Sequence, residues 1–239
     1  MFGWRAKIGL LIPAQNTTME EEFHRMAPEG VSIHTSRIPY SKPELTIETL
    51  TEISTGSVDA ARRVAMVKPD IIVFGGTAGS LVEKAGYDKE VIEKIEEATE
   101  ISATTSSIAA LQAFKTLNLS KVAVAAPYTT QANARVKRFL ENNGYTVTKI
   151  KGLERFGMNL IGREPPSTAY RLAKEVHTPE ADGVFISCTD FRSIEILERL
   201  EQDLGKPVVS SNQASMWAAL RKVGINKHLE GYGLLLRQS

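Results

Sequence analysis

The sequence predicts an α/β protein of two similar lobes, each built on a parallel sheet with helices on both faces. Apolar runs of strand length alternate with amphipathic segments of helical period along the whole chain. The apolar runs are nearly continuous, which is typical of parallel strands buried on both faces. The chain also contains one internal repeat, in which its first half recurs in its second half. Together these observations predict two pseudo-symmetric, doubly wound, flavodoxin-like lobes.

The repeat consists of three blocks that recur in the same order. They are Lys7–Pro13 with Lys121–Pro127, Asp70–Thr77 with Asp182–Thr189, and Ala103–Ala110 with Val208–Ser215. Ordered blocks of this kind indicate duplication of an α/β unit, and two copies are too few for a solenoid. In the second pair, the only cysteine of the chain, Cys188, stands where the first copy has Gly76.

The elements follow from the same alternation. The predicted strands are residues 6–12, 31–37, 70–75, 101–105, 121–126, 145–151, 183–187 and 206–210. The predicted helices are residues 17–26, 46–67, 88–99, 106–116, 129–143, 167–177, 192–204 and 212–222. We expect a first lobe over residues 1–117 and a second over 118–210, with residues 211–239 free to return and pack on the first lobe.

Composition excludes several classes of protein. A net charge of +1 and the lack of a dense Lys/Arg run give no electrostatic footprint for nucleic acid or an anionic membrane. No apolar run approaches the ~20 residues that span a bilayer, and the start of the chain lacks a signal-peptide pattern, so a cytoplasmic protein is expected. One cysteine excludes an intrachain disulfide, and four scattered histidines show no metal-ligand spacing.

Polar segments follow the predicted strands, at the edge of a parallel sheet where ligands bind. They are residues 13–18, 75–80, 104–107, 127–130, 187–190 and 210–212. Their donors are backbone N–H groups and hydroxyls, with Arg192 the nearest cation, which suits one or two carboxylates held at helix N-termini. Asp190 and Arg192 either form a structural ion pair or contact a carboxylate, and the ion pair is favoured.

Cys188 is the predicted reactive residue. A free cysteine is most often a small buried hydrophobe, but Cys188 ends a strand, begins a predicted helix and lies among Ser187, Thr189 and Asp190. A helix N-terminus lowers a thiol pKa, which favours proton transfer or nucleophilic chemistry. Tyr128, after the first strand of the second copy, is either a core residue or a pocket hydroxyl.

The glycine pair Gly75-Gly76 has a plainer alternative, a tight turn from strand to helix. The segment matches neither a G-x-G-x-x-G fingerprint nor a phosphate loop, so it gives only weak support for nucleotide binding.

These residues give the chain a family resemblance. The chain resembles the aspartate/glutamate racemase superfamily, in its branch of maleate cis-trans isomerases and arylmalonate decarboxylases. The resemblance covers nearly the whole chain and rests on Pro13-x-x-Asn16-Thr17-Thr18-Met19-Glu20, Gly76-Thr77, Gly86-Tyr87-Asp88, Pro127-Tyr128-Thr129, Asn159–Arg163 and Ser187–Ser193. It implies two lobes with the active site between them, in agreement with the pattern of the residues.

The resemblance also implies a division of roles. Racemases and maleate isomerases of this superfamily use two facing cysteines, whereas arylmalonate decarboxylases keep only the second, which protonates an enediolate. Since Gly76 replaces the first cysteine here, we expect cofactor-free decarboxylation of substituted (aryl)malonates with Cys188 as the catalytic acid. Thr77, Tyr128 and the N–H groups of Cys188 and Thr189 would stabilise the enediolate. The predicted substrate-binding residues are Asn16, Gly76, Thr77, Ala78, Tyr128, Asn159, Thr189 and Asp190.

Two alternatives stay open. Asn16 and Asn159 resemble the maleate-isomerase pattern, so the chain is either a natural one-cysteine decarboxylase or an isomerase relative with altered chemistry or with its first cysteine replaced. It could also bind a small mono- or dicarboxylate without catalysis. No metal or organic cofactor is expected, and neither the exact substrate nor the oligomeric state follows from the sequence.

Overall fold

The computed structural model describes residues 2–44, 46–76 and 86–238. The strands of this part of the chain are β1 (Ala6–Pro13), β2 (Val31–Ile38), β3 (Ile71–Phe74), β4 (Ala103–Thr105), β5 (Lys121–Ala125), β6 (Thr146–Lys151), β7 (Gly183–Ile186) and β8 (Val208–Ser210). Its helices are α1 (Met19–Met26), α2 (Ile47–Thr55), α3 (Ser57–Ala65), α4 (Tyr87–Thr99), α5 (Ser106–Thr116), α6 (Thr130–Asn142), α7 (Pro166–Val176), α8 (Leu197–Leu204), α9 (Ser211–Lys222) and α10 (Leu234–Arg237). Short 3₁₀ turns occupy Met158–Arg163 and Ile194–Ile196.

The strands form two four-stranded parallel sheets of equivalent topology. Their orders are β2-β1-β3-β4 and β6-β5-β7-β8. Each strand of the second sheet holds the place of its counterpart in the first, and every pairing is parallel. The predicted α/β class, the parallel sheets and all eight predicted strands are confirmed.

Equivalent side chains repeat the same local contacts in the two sheets. The carboxylate of Asp70 accepts a hydrogen bond from Lys7 N at 2.8 Å, and that of Asp182 accepts one from Lys121 N at 2.7 Å. Both acids precede the third strand of their sheet and satisfy an N–H of its neighbouring first strand. The sequence repeat therefore encodes matching hydrogen bonds as well as matching apolar positions.

Helices α5 and α9 begin in the same way, each capped by the last residue of the strand before it. Thr105 Oγ1 accepts from Ile108 N at 3.2 Å, and Ser210 Oγ accepts from Gln213 N at 3.2 Å. Such caps satisfy N–H groups of the first helical turn. The two helices pack against each other.

One apolar core joins the two sheets, and a second core lies against the outer face of the first sheet. The shared core contains residues from the central strands of both sheets, among them Leu10 in β1, Val124 in β5 and Ile186 in β7, all fully buried. The second cluster packs α3 and α4 on the opposite face of the first sheet and includes Phe74 and Ile95. Lys222, at the end of α9, donates through Nζ to Ala103 O at 3.0 Å. The lobe boundary at residues 117 and 118 stays a prediction.

Two predicted helices differ from those observed. Residues 46–67 form two helices because the chain breaks at Gly56, where an added Cβ would lie 2.9 Å from Ile38 Cγ2. The helix predicted from residue 192 begins only at Leu197, after the 3₁₀ turn. Within the described residues, no helix is both long and apolar enough to cross a membrane.

Candidate active site

Cys188 lies just beyond the end of β7 in a strained backbone conformation. Its φ is 143°, a region that residues with a Cβ rarely adopt, and it is 7% exposed. Its N–H donates to Ser211 Oγ at 3.1 Å, and its sulfur accepts from Asp190 N at 3.4 Å. Strain of this kind persists only where surrounding contacts hold it, and it concentrates at functional sites.

The thiol of Cys188 is protonated at neutral pH. Burial, and secondly the Asp190 carboxylate, raises the pKa of Cys188 to about 12. The expectation that a helix N-terminus lowers this pKa is wrong, because residues 189–193 are not helical and α8 begins nine residues after the cysteine, at Leu197. A buried neutral thiol serves as a proton donor and is a poor resting-state nucleophile.

Tyr128 supplies a second neutral donor beside the thiol. Its side chain is 2% exposed, and its hydroxyl interacts with both Cys188 and Ser187. Burial and the neighbouring cysteine raise the pKa of Tyr128 well above 10. Gly152 allows this placement, since a Cβ there would overlap the Tyr128 carbonyl oxygen. The pocket-hydroxyl alternative for Tyr128 thus agrees with its position.

Thr189 ties together the ends of β1, β3 and β7. Its Oγ1 donates to Gly75 O at 3.1 Å and accepts from Asn16 Nδ2 at 3.1 Å. Asn16, which is 1% exposed, also accepts through Oδ1 from Thr18 N at 3.0 Å and Met19 N at 2.9 Å, at the start of α1. These bonds bring the Gly75-Gly76 segment next to the Cys188 segment.

Asp190 holds the neighbouring loops instead of forming the expected ion pair. Its Oδ1 accepts from Thr17 N at 2.9 Å, and the backbone of Gly162 also donates to it. Burial raises the pKa of Asp190 to about 6 despite these donors. Arg192 pairs with Glu195 at 3.0 Å, so the predicted pair of Asp190 with Arg192 is wrong. The carboxylate points back toward the loop after β1, away from its sequence neighbour.

The remaining predicted residues are placed differently. Gly76 is buried, and among the described residues the ring of Phe74 is the nearest neighbour of a Cβ placed on it, at 3.1 Å. Asn159 is exposed, and its Oδ1 faces back toward Gly157. Thr77 and Ala78 lie outside the described residues. Tyr128 and Asp190 thus contact Cys188, and Thr189 links Asn16 to the Gly75 carbonyl, while Asn159 stands at the surface.

Sequence reasoning missed two residues of this region. Tyr40, in the loop after β2, lies close enough to Asp190 for that carboxylate to raise the pKa of its hydroxyl, after the larger effect of burial. Glu22, in α1, is 4% exposed. A signal for Glu22 existed, because it falls at helical spacing among the buried Met19, Phe23 and Met26. No comparable pattern distinguishes Tyr40.

The loop after β2 contacts the segment that leads into the 3₁₀ turn Met158–Arg163. Met158 N donates to Pro43 O at 2.8 Å, and Glu44 forms an isolated antiparallel bridge with Gly157.

In the described ranges 2–44, 46–76 and 86–238, no group of three or more His, Cys, Asp or Glu side chains is arranged to hold a metal ion.

Comparisons with known proteins agree with this geometry. The family model described as arylmalonate decarboxylase matches residues 8–236. The arylmalonate decarboxylase of Bordetella bronchiseptica is 27% identical over 97% of each chain. A crystal structure of arylmalonate decarboxylase superposes with a TM-score of 0.85 at 26% identity, covering 98% of this chain and 100% of that one.

A second group of similar structures consists of maleate isomerases. The Nocardia farcinica maleate cis-trans isomerase, solved as a cysteine variant with a covalently bound succinylcysteine intermediate, superposes with a TM-score of 0.93. It is 23% identical and covers 98% of this chain and 99% of that one. The likeness at this identity is one of fold. The family model, which spans almost the whole chain, confirms the resemblance found in the sequence: the chain belongs to the arylmalonate decarboxylase family.

Proposed function

We propose that this protein is a cofactor-free decarboxylase of substituted (aryl)malonates, with Cys188 as its catalytic acid. The observation that carries the proposal is the state of the thiol, which is buried, neutral and adjacent to the Tyr128 hydroxyl. The sequence has no second cysteine. A single neutral acid suffices to protonate a carbanion equivalent, whereas two-base racemisation requires a partner.

The reaction follows from these groups. The bond between the α-carbon and one carboxylate breaks, carbon dioxide leaves, and the electron pair remains as an enediolate. The Tyr128 hydroxyl donates to the developing charge. The α-carbon then takes the proton of Cys188 Sγ. Because the pKa of Cys188 is about 12, the thiolate readily recovers a proton from water.

The other expected donors divide into two sets. The Cys188 N–H is already engaged with Ser211 Oγ at 3.1 Å, which weakens the prediction that it binds the enediolate. Asn16, Gly76, Thr189 and Asp190 remain proposed binding residues; the bonds of Asp190 N to Cys188 Sγ and of Asn16 to Thr189 support this. We also propose that this site lies between two lobes, with the final helices returning to the first; the contact of Lys222 with Ala103 supports that return.

A time course by NMR in deuterated buffer tests the function. Purified protein is offered phenylmalonate, methylphenylmalonate and maleate in separate reactions. Carbon dioxide release with one deuterium at the α-carbon of the product is the expected result. Fumarate from maleate, with both malonates untouched, would overturn the decarboxylase proposal.

Maleate isomerisation is the second candidate, and the Asn16 loop favours it. Asn16 resembles the maleate-isomerase pattern, and its amide donates to Thr189, the residue after Cys188, at 3.1 Å. Against it, covalent addition to a double bond needs a thiolate, which the raised pKa of Cys188 disfavours. A third candidate, carboxylate binding without turnover, predicts saturable binding of these acids and no product in any of the three reactions.

Introducing a thiol at position 76 is expected to reduce the enantiomeric purity of the product. The nearest described neighbour of a Cβ at Gly76 is the Phe74 ring, at 3.1 Å, so Gly76→Cys requires a slight shift of that ring. The new thiol would give the enediolate a second acid, from the copy of the repeat that now lacks one. Chiral chromatography of the methylphenylmalonate product measures the effect.

Gly76→Ala and Gly76→Ser are the matched controls for that variant. Both add a Cβ at the same place without a thiol, and we expect them to keep a product of one configuration. Equal loss of enantiomeric purity in Gly76→Ala would show that shape, and not the second thiol, is responsible.

A further inference from the structure

Glu22 is a buried carboxylate that the proposed chemistry does not use. It lies on the apolar face of α1, beside Met19, Phe23 and Met26, and is 4% exposed. Burying an ionisable side chain among apolar neighbours is costly unless specific partners compensate it. The groups that donate hydrogen bonds to the Glu22 carboxylate therefore indicate what the buried side chain does.

The hydrogen-bond donors to the Glu22 carboxylate all lie more than 170 residues away in sequence. One oxygen, Oε1, accepts from Ser193 N at 2.8 Å and from Ile194 N at 3.3 Å. The other, Oε2, accepts from Asn212 Nδ2 at 2.6 Å. Asn212, in α9, donates from the same nitrogen to Thr189 O at 3.0 Å.

These bonds fix both ends of the segment that follows the cysteine. Thr189 is held through Asn212, and Ser193 and Ile194 are held directly. This segment forms no α-helix, so the N–H groups of Ser193 and Ile194 have no intrahelical partners. The Glu22 carboxylate supplies them instead. Cys188, whose φ of 143° must be maintained by its surroundings, immediately precedes this segment.

We propose that Glu22 is a positioning residue: its carboxylate, acting from α1, holds the segment 189–194 and so fixes the direction of the Cys188 thiol during protonation of the substrate. The inference rests on the proposed function in taking Cys188 as the acid. Glu22 itself does not contact the substrate in this role.

The charge state of Glu22 gives the proposal a second readout. Burial raises the pKa of Glu22 to about 7, although its three donors oppose the shift. The charged groups near it are Arg25 on the same helix and Glu195 in the 3₁₀ turn, which pairs with both Arg25 and Arg192. From α9 it faces the neutral Asn212.

Only the ionised carboxylate accepts all three hydrogen bonds without a competing proton. Activity is therefore expected to rise with pH through about 7 as Glu22 ionises. Asp190, on the same segment and with its pKa raised to about 6, contributes a separate, more acidic step. The two steps are separable by mutation.

The test is Glu22→Gln, which keeps the shape and removes the charge. The carboxamide of the variant has one acceptor, its oxygen, and one donor, its NH₂ group. The NH₂ group cannot accept a hydrogen bond, so the bond from Asn212 or those from the backbone N–H groups are lost. We expect kcat for the malonate to fall about 10- to 100-fold with KM nearly unchanged, as for a displaced acid. We also expect the step near pH 7 to vanish from the pH profile while the step near pH 6 remains.

Glu201→Gln is the matched control. Glu201 is also a buried glutamate, 8% exposed, that accepts from two backbone N–H groups, those of Val208 and Leu234. Its bonds hold β8 and the C-terminal segment, away from Cys188. Glu201→Gln is expected to lower stability while leaving the pH profile of kcat unchanged. An equal loss of the pH 7 step in both variants would overturn the positioning role.

A measurement without substrate separates this inference from the proposed function. The amide resonances of Ser193 and Ile194 are followed by NMR between pH 5 and 9 in the wild type, in Glu22→Gln and in Cys188→Ala. A shift near pH 7 that is present in the wild type and in Cys188→Ala, and absent in Glu22→Gln, is expected. If these amides do not titrate in the wild type, or if Glu22→Gln keeps full kcat, the inference is wrong. A wild type that turns over no malonate would defeat the decarboxylase proposal, and the amide titration would still decide whether Glu22 holds the segment.

Discussion

Replacing Cys188 with alanine is expected to abolish decarboxylation while substrate binding persists. The variant removes the only thiol, so the enediolate loses its acid, and general-acid catalysis of this kind contributes about 10²- to 10⁴-fold. Tyr128 and the Asn16 loop, which are proposed to bind the carboxylate, are untouched. Turnover of phenylmalonate and calorimetric titration with a non-reactive arylacetate measure the two properties separately.

Two further variants at the same position serve as controls. Cys188→Ser keeps an O–H of similar size but much weaker acidity, and we expect it to remain nearly as inactive as Cys188→Ala. Cys188→Gly is expected to be inactive yet more stable by about 1 kcal/mol, because glycine adopts a φ of 143° at little steric cost. A Cys188→Ala enzyme within tenfold of wild-type kcat would show that the proton comes from another group.

Replacing Thr189 with valine is expected to cause a large loss of stability. The substitution preserves shape but removes the hydroxyl that donates to Gly75 O and accepts from Asn16 Nδ2. Each buried group left unpaired costs about 1–3 kcal/mol, so we expect a loss of about 2–5 kcal/mol in the free energy of unfolding. Urea denaturation, read as a lower midpoint at unchanged slope, measures it.

Thr51→Val is the matched control for this loss. Thr51 is exposed in α2, and its Oγ1 donates to Ile47 O at 2.8 Å, a bond that water can replace. The free energy of unfolding of the Thr51→Val protein is expected to stay within about 0.5 kcal/mol of wild type. Thr189→Ser, which restores the hydroxyl, should recover most of the stability. A Thr189→Val protein as stable as Thr51→Val would mean that the link between β3 and β7 adds nothing to the fold.

The fold could be predicted because its signals are local and occur twice. Buried parallel strands have apolar runs that need no knowledge of distant partners, and the second copy of each run confirms the first. The first and last residues of the helices depend on packing between elements, so the sequence predicts them less accurately than the strands. Gly56 interrupts a continuous helical pattern, and the neighbour that leaves no room for a Cβ there is Ile38, a residue 18 positions earlier that no local pattern connects to it.

The candidate site was harder to predict because its electrostatics depend on burial. Asp190 and Arg192 are close in sequence, yet Asp190 finds its partners at Thr17 and Gly162. The pKa of Cys188 moves opposite to the expected direction because the thiol is buried and no helix begins beside it. Strand ends nevertheless located Cys188, Tyr128, Thr189 and Asn16 correctly near one another, since the carboxyl edges of parallel sheets follow from the strand order alone.

The hydrogen bonds that assemble the site have a consequence for the order in which the chain folds. Asn16 meets Thr189 and Thr17 meets Asp190, each across 173 residues, and Glu22 meets Ser193 across 171. Such contacts close very long loops of the chain, and the entropy of loop closure delays them relative to contacts within each sheet. The surroundings of Cys188 are therefore expected to form last, after both sheets exist. A chain interrupted before its second half has folded would hold the four strands of the first sheet and none of its catalytic geometry.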